Sequence, residues 1–124
     1  MALTRIKVEN IDSSVPLGNE VDQTVSLNTT ASTDQVVIDT FDKTVYRTTK
    51  YLVQMTAGTD YHSTEMLVIH DGTTAYLTEY AAMYDNTLLS SFDVDISGDD
   101  VRLLATPASS TSTSFKIFKT LIKL

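Results

Sequence analysis

Histidine is the side chain best suited to proton transfer and metal binding near neutral pH, and the sequence holds two, His62 and His70. His70 precedes Asp71-Gly72, where Asp71 could orient it as a carboxylate orients a catalytic base. Neither a Ser-His-Asp constellation nor metal-ligand spacing can be assembled around either histidine, so the expectation for His70 is a hairpin-tip residue facing solvent. Four carboxylates, Asp93, Asp95, Asp99 and Asp100, fall within eight residues. On a strand, Asp93 and Asp95 share the outward face about 7 Å apart. Asp99 and Asp100 follow in the adjoining turn, so a Ca²⁺ site of carboxylate and carbonyl oxygens is the geometric option. The spacing matches no EF-hand loop, and a solvated acidic turn without metal or cofactor is the plainer expectation. Glu65 and Glu79 flank the Asp71-Gly72 turn and would approach each other across a hairpin, as the two carboxylates of a glycosidase must. Tyr76, Tyr80 and Tyr84 offer rings for stacking on sugar, but the chain has no tryptophan. An ordinary exposed hairpin face is favoured over a hydrolase, and no enzyme activity is expected.

Composition sets the frame in which those residues sit. The chain has 124 residues, one domain's worth, with 20 Thr and 12 Ser. Thr favours strands and Ser favours turns, which points to a polar-surfaced all-β protein. Hydrophobic residues make up 42%, too many for a disordered chain, while Gly and Pro number only 4 and 2. Nine basic residues against 16 acidic ones give a net charge of −7, which argues against nucleic acid and anionic membrane as partners. The absence of cysteine excludes disulfides, thiol catalysis and thiolate metal sites. The first residues lack the apolar run of a signal peptide, and no window of about 18 apolar residues exists to span a bilayer. A soluble, acidic, β-rich domain is expected.

Residues 1–33 differ from the rest. They carry two weak strands, 3–8 and 21–27, around a polar stretch with Pro16 and Gly18, and no aromatic precedes Phe41. They read either as edge strands packed on the main body or as an arm that orders against a partner chain. Residues 34–124 run strand after strand between turn signals. Asp71-Gly72 is the strongest hairpin signal, since a primed turn demands positive φ. Phe92, Val94 and Ile96 alternate with polar residues, as a half-buried antiparallel strand requires. An antiparallel β-sandwich of about seven to nine strands follows, with a jelly roll as one form of it. In the last strand Phe115, Ile117 and Leu121 share one parity while Phe118, Ile122 and Leu124 share the other. Such a strand is either central in a sandwich or covered by a neighbouring subunit of a symmetric oligomer, a trimer among the options. Leu3, Ile6, Val8, Phe115, Phe118, Leu121 and Ile122 are therefore the candidate interface residues. Tyr76, Tyr80 and Tyr84 form a candidate ligand face.

Three runs bear a likeness to known proteins: 41–54 (FDKTVYRTTKYLVQ), 61–76 (YHSTEMLVIHDGTTAY) with Thr78-Glu79-Tyr80, and 92–98 (FDVDISG) with Val101-Arg102-Leu103. Together they resemble a β domain recurring in virion structural proteins of tailed bacteriophages, especially those of marine and cyanobacterial hosts. The resemblance covers about 34–124 and implies a non-enzymatic virion component, assembled in the host cytoplasm, whose partners are the major capsid protein or tail proteins. The compact length favours a capsid decoration (cement) protein whose N-terminal arm grips its neighbours. A tail-fibre, neck or baseplate subunit whose sandwich binds host glycan is the alternative.

Overall fold

The computed structural model describes residues 20–124, and the candidate strand 3–8 with Leu3, Ile6 and Val8 lies outside them. Eight strands follow in chain order: β1 Val21–Thr30, β2 Val36–Asp42, β3 Tyr46–Ala57, β4 Asp60–His70, β5 Ala75–Tyr84, β6 Ser90–Ser97, β7 Asp100–Pro107 and β8 Thr113–Lys123. They form two antiparallel sheets, a large one in the order β1-β8-β3-β4-β5 and a small one in the order β2-β7-β6. The chain is an all-β sandwich, and among the described residues no helix occurs.

Alternation in the sequence explains the layers. Tyr51, Val53 and Met55 of β3, Met66 and Val68 of β4, and Phe115, Ile117 and Leu121 of β8 point inward from the large sheet. Phe41, Val101, Leu103 and Ala105 meet them from the small sheet. β1 occupies one edge of the large sheet, paired along its whole length with β8. Strand β8 lies inside the large sheet, between β1 and β3, and its Phe115 and Leu121, candidates for a subunit interface, are buried in the core. Their parity turns them toward the small sheet.

Turn chemistry departs from the sequence expectation at Asp71-Gly72. His70 pairs with Ala75, so the loop has four residues between them rather than two. Among the described residues only glycines have positive φ, whereas a type I′ turn would need it at Asp71 as well. Asp71 instead closes the loop with its carboxylate, which accepts hydrogen bonds from the amides of Thr73 (2.9 Å) and Thr74 (2.7 Å). Those bonds hold its carboxyl below the usual carboxylate range. The two-residue hairpin turns are Gly58-Thr59 and Gly98-Asp99, each with positive φ at its first residue, as type II′ requires.

His70 is 2% exposed, not a solvent-facing tip residue. Its Nδ1 accepts from the Gly72 amide at 3.0 Å, which leaves the proton on Nε2 to be donated to the Tyr46 carbonyl at 2.6 Å. The imidazole thus ties the β4–β5 loop to the start of β3.

A second polar group crosses the interior. A β-bulge between Val37 and Asp39 turns the Asp39 side chain toward the large sheet. There Oδ2 accepts from Lys119 Nζ (2.7 Å) and the Tyr51 hydroxyl (2.8 Å), and Oδ1 accepts from the Ser26 hydroxyl (3.1 Å). Lys119 also donates to the Thr40 carbonyl at 2.7 Å. Four strands, β1, β2, β3 and β8, are joined at this point. Burial, and then the charge of Asp39, push the Tyr51 hydroxyl well above its ordinary pKa.

Candidate functional site

Each sheet has an outer face, and the two differ in chemistry. On the small sheet, register aligns Asp42, Asp100 and Ser97 in one row, then Thr40, Arg102 and Asp95, then Asp93 beside Leu104. Asp95 is held by Arg102 through two hydrogen bonds of 2.7 and 2.5 Å, and that contact keeps its carboxyl below the usual range. Asp93 accepts from the Val94 amide, and Asp99 gives its carbonyl to the Lys43 amide (2.9 Å). The four carboxylates considered for Ca²⁺ do not converge, and no three metal-ligating side chains gather among the described residues.

The large sheet's outer face is assembled from the opposite parity of five strands. Its rows run Val21-Ile122-Thr48-Ile69-Tyr76, Gln23-Thr120-Lys50-Leu67-Thr78 and Val25-Phe118-Leu52-Glu65-Ala81. Two more follow, Leu27-Lys116-Gln54-Ser63-Met83 and Thr29-Ser114-Thr56-Tyr61. The first and third rows are largely apolar, whereas the second, fourth and fifth are mostly polar. Phe118 and Ile122, candidates for an interface, lie in the apolar rows and are 39% and 47% exposed.

A β-bulge between Glu65 and Met66 decides where the β5 side chains go. Met66 faces Glu79 and Glu65 faces Ala81, so Tyr80 is the extra residue of the pair of strands. Beyond it the parity of β5 reverses. Tyr76 is on the outer face opposite Ile69, whereas Tyr84 is on the inner side opposite His62. The three tyrosines therefore do not form one ligand face. Glu65 and Glu79 are likewise separated: Glu65 pairs with Lys50 on the outer face (3.4 Å), while Glu79 accepts a hydrogen bond from Thr64 on the other.

Two adjoining depressions meet at Gln54 and Ser63 on the outer face. The larger, about 560 Å³, is lined by Gln54, Tyr61, His62, Ser63, Met83, Tyr84 and Asp85. The smaller, about 200 Å³, lies over Val25, Leu52 and Phe118 and shares Gln54 and Ser63 with the first. Asp85 is fixed by the Tyr61 amide, which donates to its Oδ1 at 2.9 Å. His62 packs T-shaped against Tyr84, with centroids 5.6 Å apart, and its Nδ1 accepts from the Leu89 amide at 3.2 Å. Burial holds the His62 pKa below its ordinary value. Gln54, Ser63 and Met83 escaped the sequence reading because nothing in a single strand marks a residue that gains importance from its cross-strand neighbours.

No family model matches the sequence, nor does any curated protein. In structure the chain is similar to the tailspike protein of Acinetobacter baumannii phage AM24, with a TM-score of 0.54 and 9% identity over 84% of this chain and 26% of that one. It is also similar to the tailspike of Acinetobacter phage vB_ApiP_P1, with a TM-score of 0.43 and 21% identity over 84% of this chain and 22% of that one. The tailspike gp49 of Acinetobacter baumannii phage Fri1 gives a TM-score of 0.46 and 14% identity over 90% of this chain and 21% of that one. The chain thus spans about a quarter or less of the proteins it matches. Against the expectation of proteins without enzyme activity, the Fri1 tailspike is described as a capsular polysaccharide depolymerase. The β fold is one found in phage tailspikes, and the narrower association with marine and cyanobacterial hosts gains no support.

Proposed function

We propose that the chain is a domain of a phage tail protein on the exterior of the virion, and that it binds host surface polysaccharide in the larger depression. The tail placement is supported by the likeness to the AM24 tailspike, which gives the tail reading more support than a capsid decoration. The ligand class rests on one observation, the depression of about 560 Å³ at the β3–β4–β5 corner. Its size is that of a small-molecule site. The Gln54 amide, Ser63 hydroxyl and Asp85 carboxylate offer donors and acceptors for sugar hydroxyls. The rings of Tyr61 and Tyr84, both more than half exposed, and Met83 offer apolar surface for the C–H faces of a pyranose.

Titration with purified capsular polysaccharide in a calorimeter tests the site. Binding that Gln54→Ala and Tyr61→Ala each weaken by about tenfold is expected. An absence of heat above the dilution blank would sink the polysaccharide reading. Copy number in purified particles tests the placement, and a stoichiometry matching the major capsid protein would move the chain to the shell.

A further inference from the structure

Resting on the polysaccharide reading, we propose that the smaller depression is a second sugar subsite, that it takes an acidic pyranose, and that Lys116 recognises the carboxylate. Among the described residues Lys50, Arg102, Lys119 and Lys123 are paired with carboxylates. Lys43 and Arg47 donate to the carbonyls of Gly72 and His70. Lys116 is the one described basic side chain with neither kind of partner, and it stands exposed at the wall of the smaller depression of about 200 Å³. It is the only charged residue lining that depression, where Phe118 offers a ring to the C–H face of one sugar.

Register sets the length of the bound segment. Lys116, Gln54, Ser63 and Met83 stand in one row on β8, β3, β4 and β5. Neighbouring strands lie about 4.8 Å apart, close to the rise of one pyranose along a polysaccharide, so the row spans about 14 Å or about three linked sugars. Gln54 and Ser63 line both depressions and meet the middle sugar. Charge sets the direction. Asp85 is the only carboxylate lining the larger depression, and no lysine or arginine lines it. An acidic sugar is therefore repelled at the Asp85 end and attracted at the Lys116 end, which fixes which way the segment lies. With 16 acidic against 9 basic residues the rest of the chain opposes an anionic polymer, so the preference is local to Lys116.

Calorimetric titration of the full chain provides the test, with a capsular polysaccharide containing glucuronic acid and with the same polymer after its carboxyls are reduced to alcohols. The unchanged chain is expected to bind the acidic polymer about tenfold more tightly than the reduced one. Lys116→Gln is expected to lose about tenfold on the acidic polymer and less than about twofold on the reduced one. Lys116→Arg, which keeps the cation, is expected to retain the preference. Lys116 is exposed, and circular dichroism verifies that both variants keep their strands. Equal binding of the two polymers by the unchanged chain overturns the acidic subsite and leaves the polysaccharide reading standing. So does a loss with Lys116→Gln that is the same for both polymers. An absence of heat with either polymer overturns the subsite and that reading together.

Discussion

Two ion pairs of similar geometry sit on opposite sides of the small sheet. Lys119 and Asp39 meet at 2.7 Å between the sheets, with side chains 10% and 7% exposed. Arg102 and Asp95 meet at 2.5 Å on the outer face, with side chains 34% and 39% exposed. Distance does not distinguish them; solvent does. The inner pair has given up its hydration and is satisfied by Tyr51, Ser26 and the Thr40 carbonyl. Each partner is now indispensable to the other, while the outer pair can return to water at little cost.

The largest effect that would sharpen this contrast comes from Lys119→Ala, which strands Asp39 in the interior. It is expected to cost about 3–5 kcal/mol in urea denaturation. Lys116→Ala, on the same strand but facing outward, is expected to stay within about 0.5 kcal/mol. A double change of Asp39→Leu with Lys119→Met should recover most of the loss, because an apolar pair needs no hydration to replace. If Lys119→Ala cost no more than Lys116→Ala, the distinction between inside and outside would fail.

The next effect concerns His62, whose side chain is buried from the same interior side. Burial lowers its folded pKa, so the unfolded chain binds more protons. Stability is then expected to fall as pH drops below the ordinary histidine value of about 6.5, by at most about 1.4 kcal/mol per pH unit for one proton. His62→Gln should flatten that slope in a series of thermal melts between neutral and mildly acidic pH.

The smallest effect belongs to the outer pair. Arg102→Ala should change stability by about 1 kcal/mol or less at neutral pH. The lowered Asp95 pKa contributes stability above the ordinary carboxylate range that is lost as pH falls through the folded value. The gap between Arg102→Ala and the unchanged chain should therefore close in acid.

Strand positions were legible in the sequence because alternation is a local property: β6 showed itself in Phe92, Val94 and Ile96, and β7 in the residues up to Pro107. Facing was less legible. Bulges in β2 and at the β4–β5 pairing each add one residue, and only a partner strand reveals them. Asp39 therefore gave no sign of pointing inward, and Tyr84 seemed to share a face with Tyr76. Strand β8 looked covered on both sides because its outward Phe118 and Ile122 are as apolar as its inward Phe115 and Leu121. The candidate site was the least legible part, since Gln54, Ser63 and Met83 are brought together by register.

Strand β8 is hydrogen-bonded between β1 and β3, so an interior position of the large sheet is filled by the last of the eight described strands. The β3–β4–β5 meander can form from adjacent hairpins, but among the described residues β1 pairs only with β8, about ninety residues away. Closing such distant contacts is slow, which places this chain among the millisecond-to-second folders. During synthesis the interior would stay open until β8 had left the ribosome. A chain truncated before Thr113 would keep its hairpins and lose the seam that holds them.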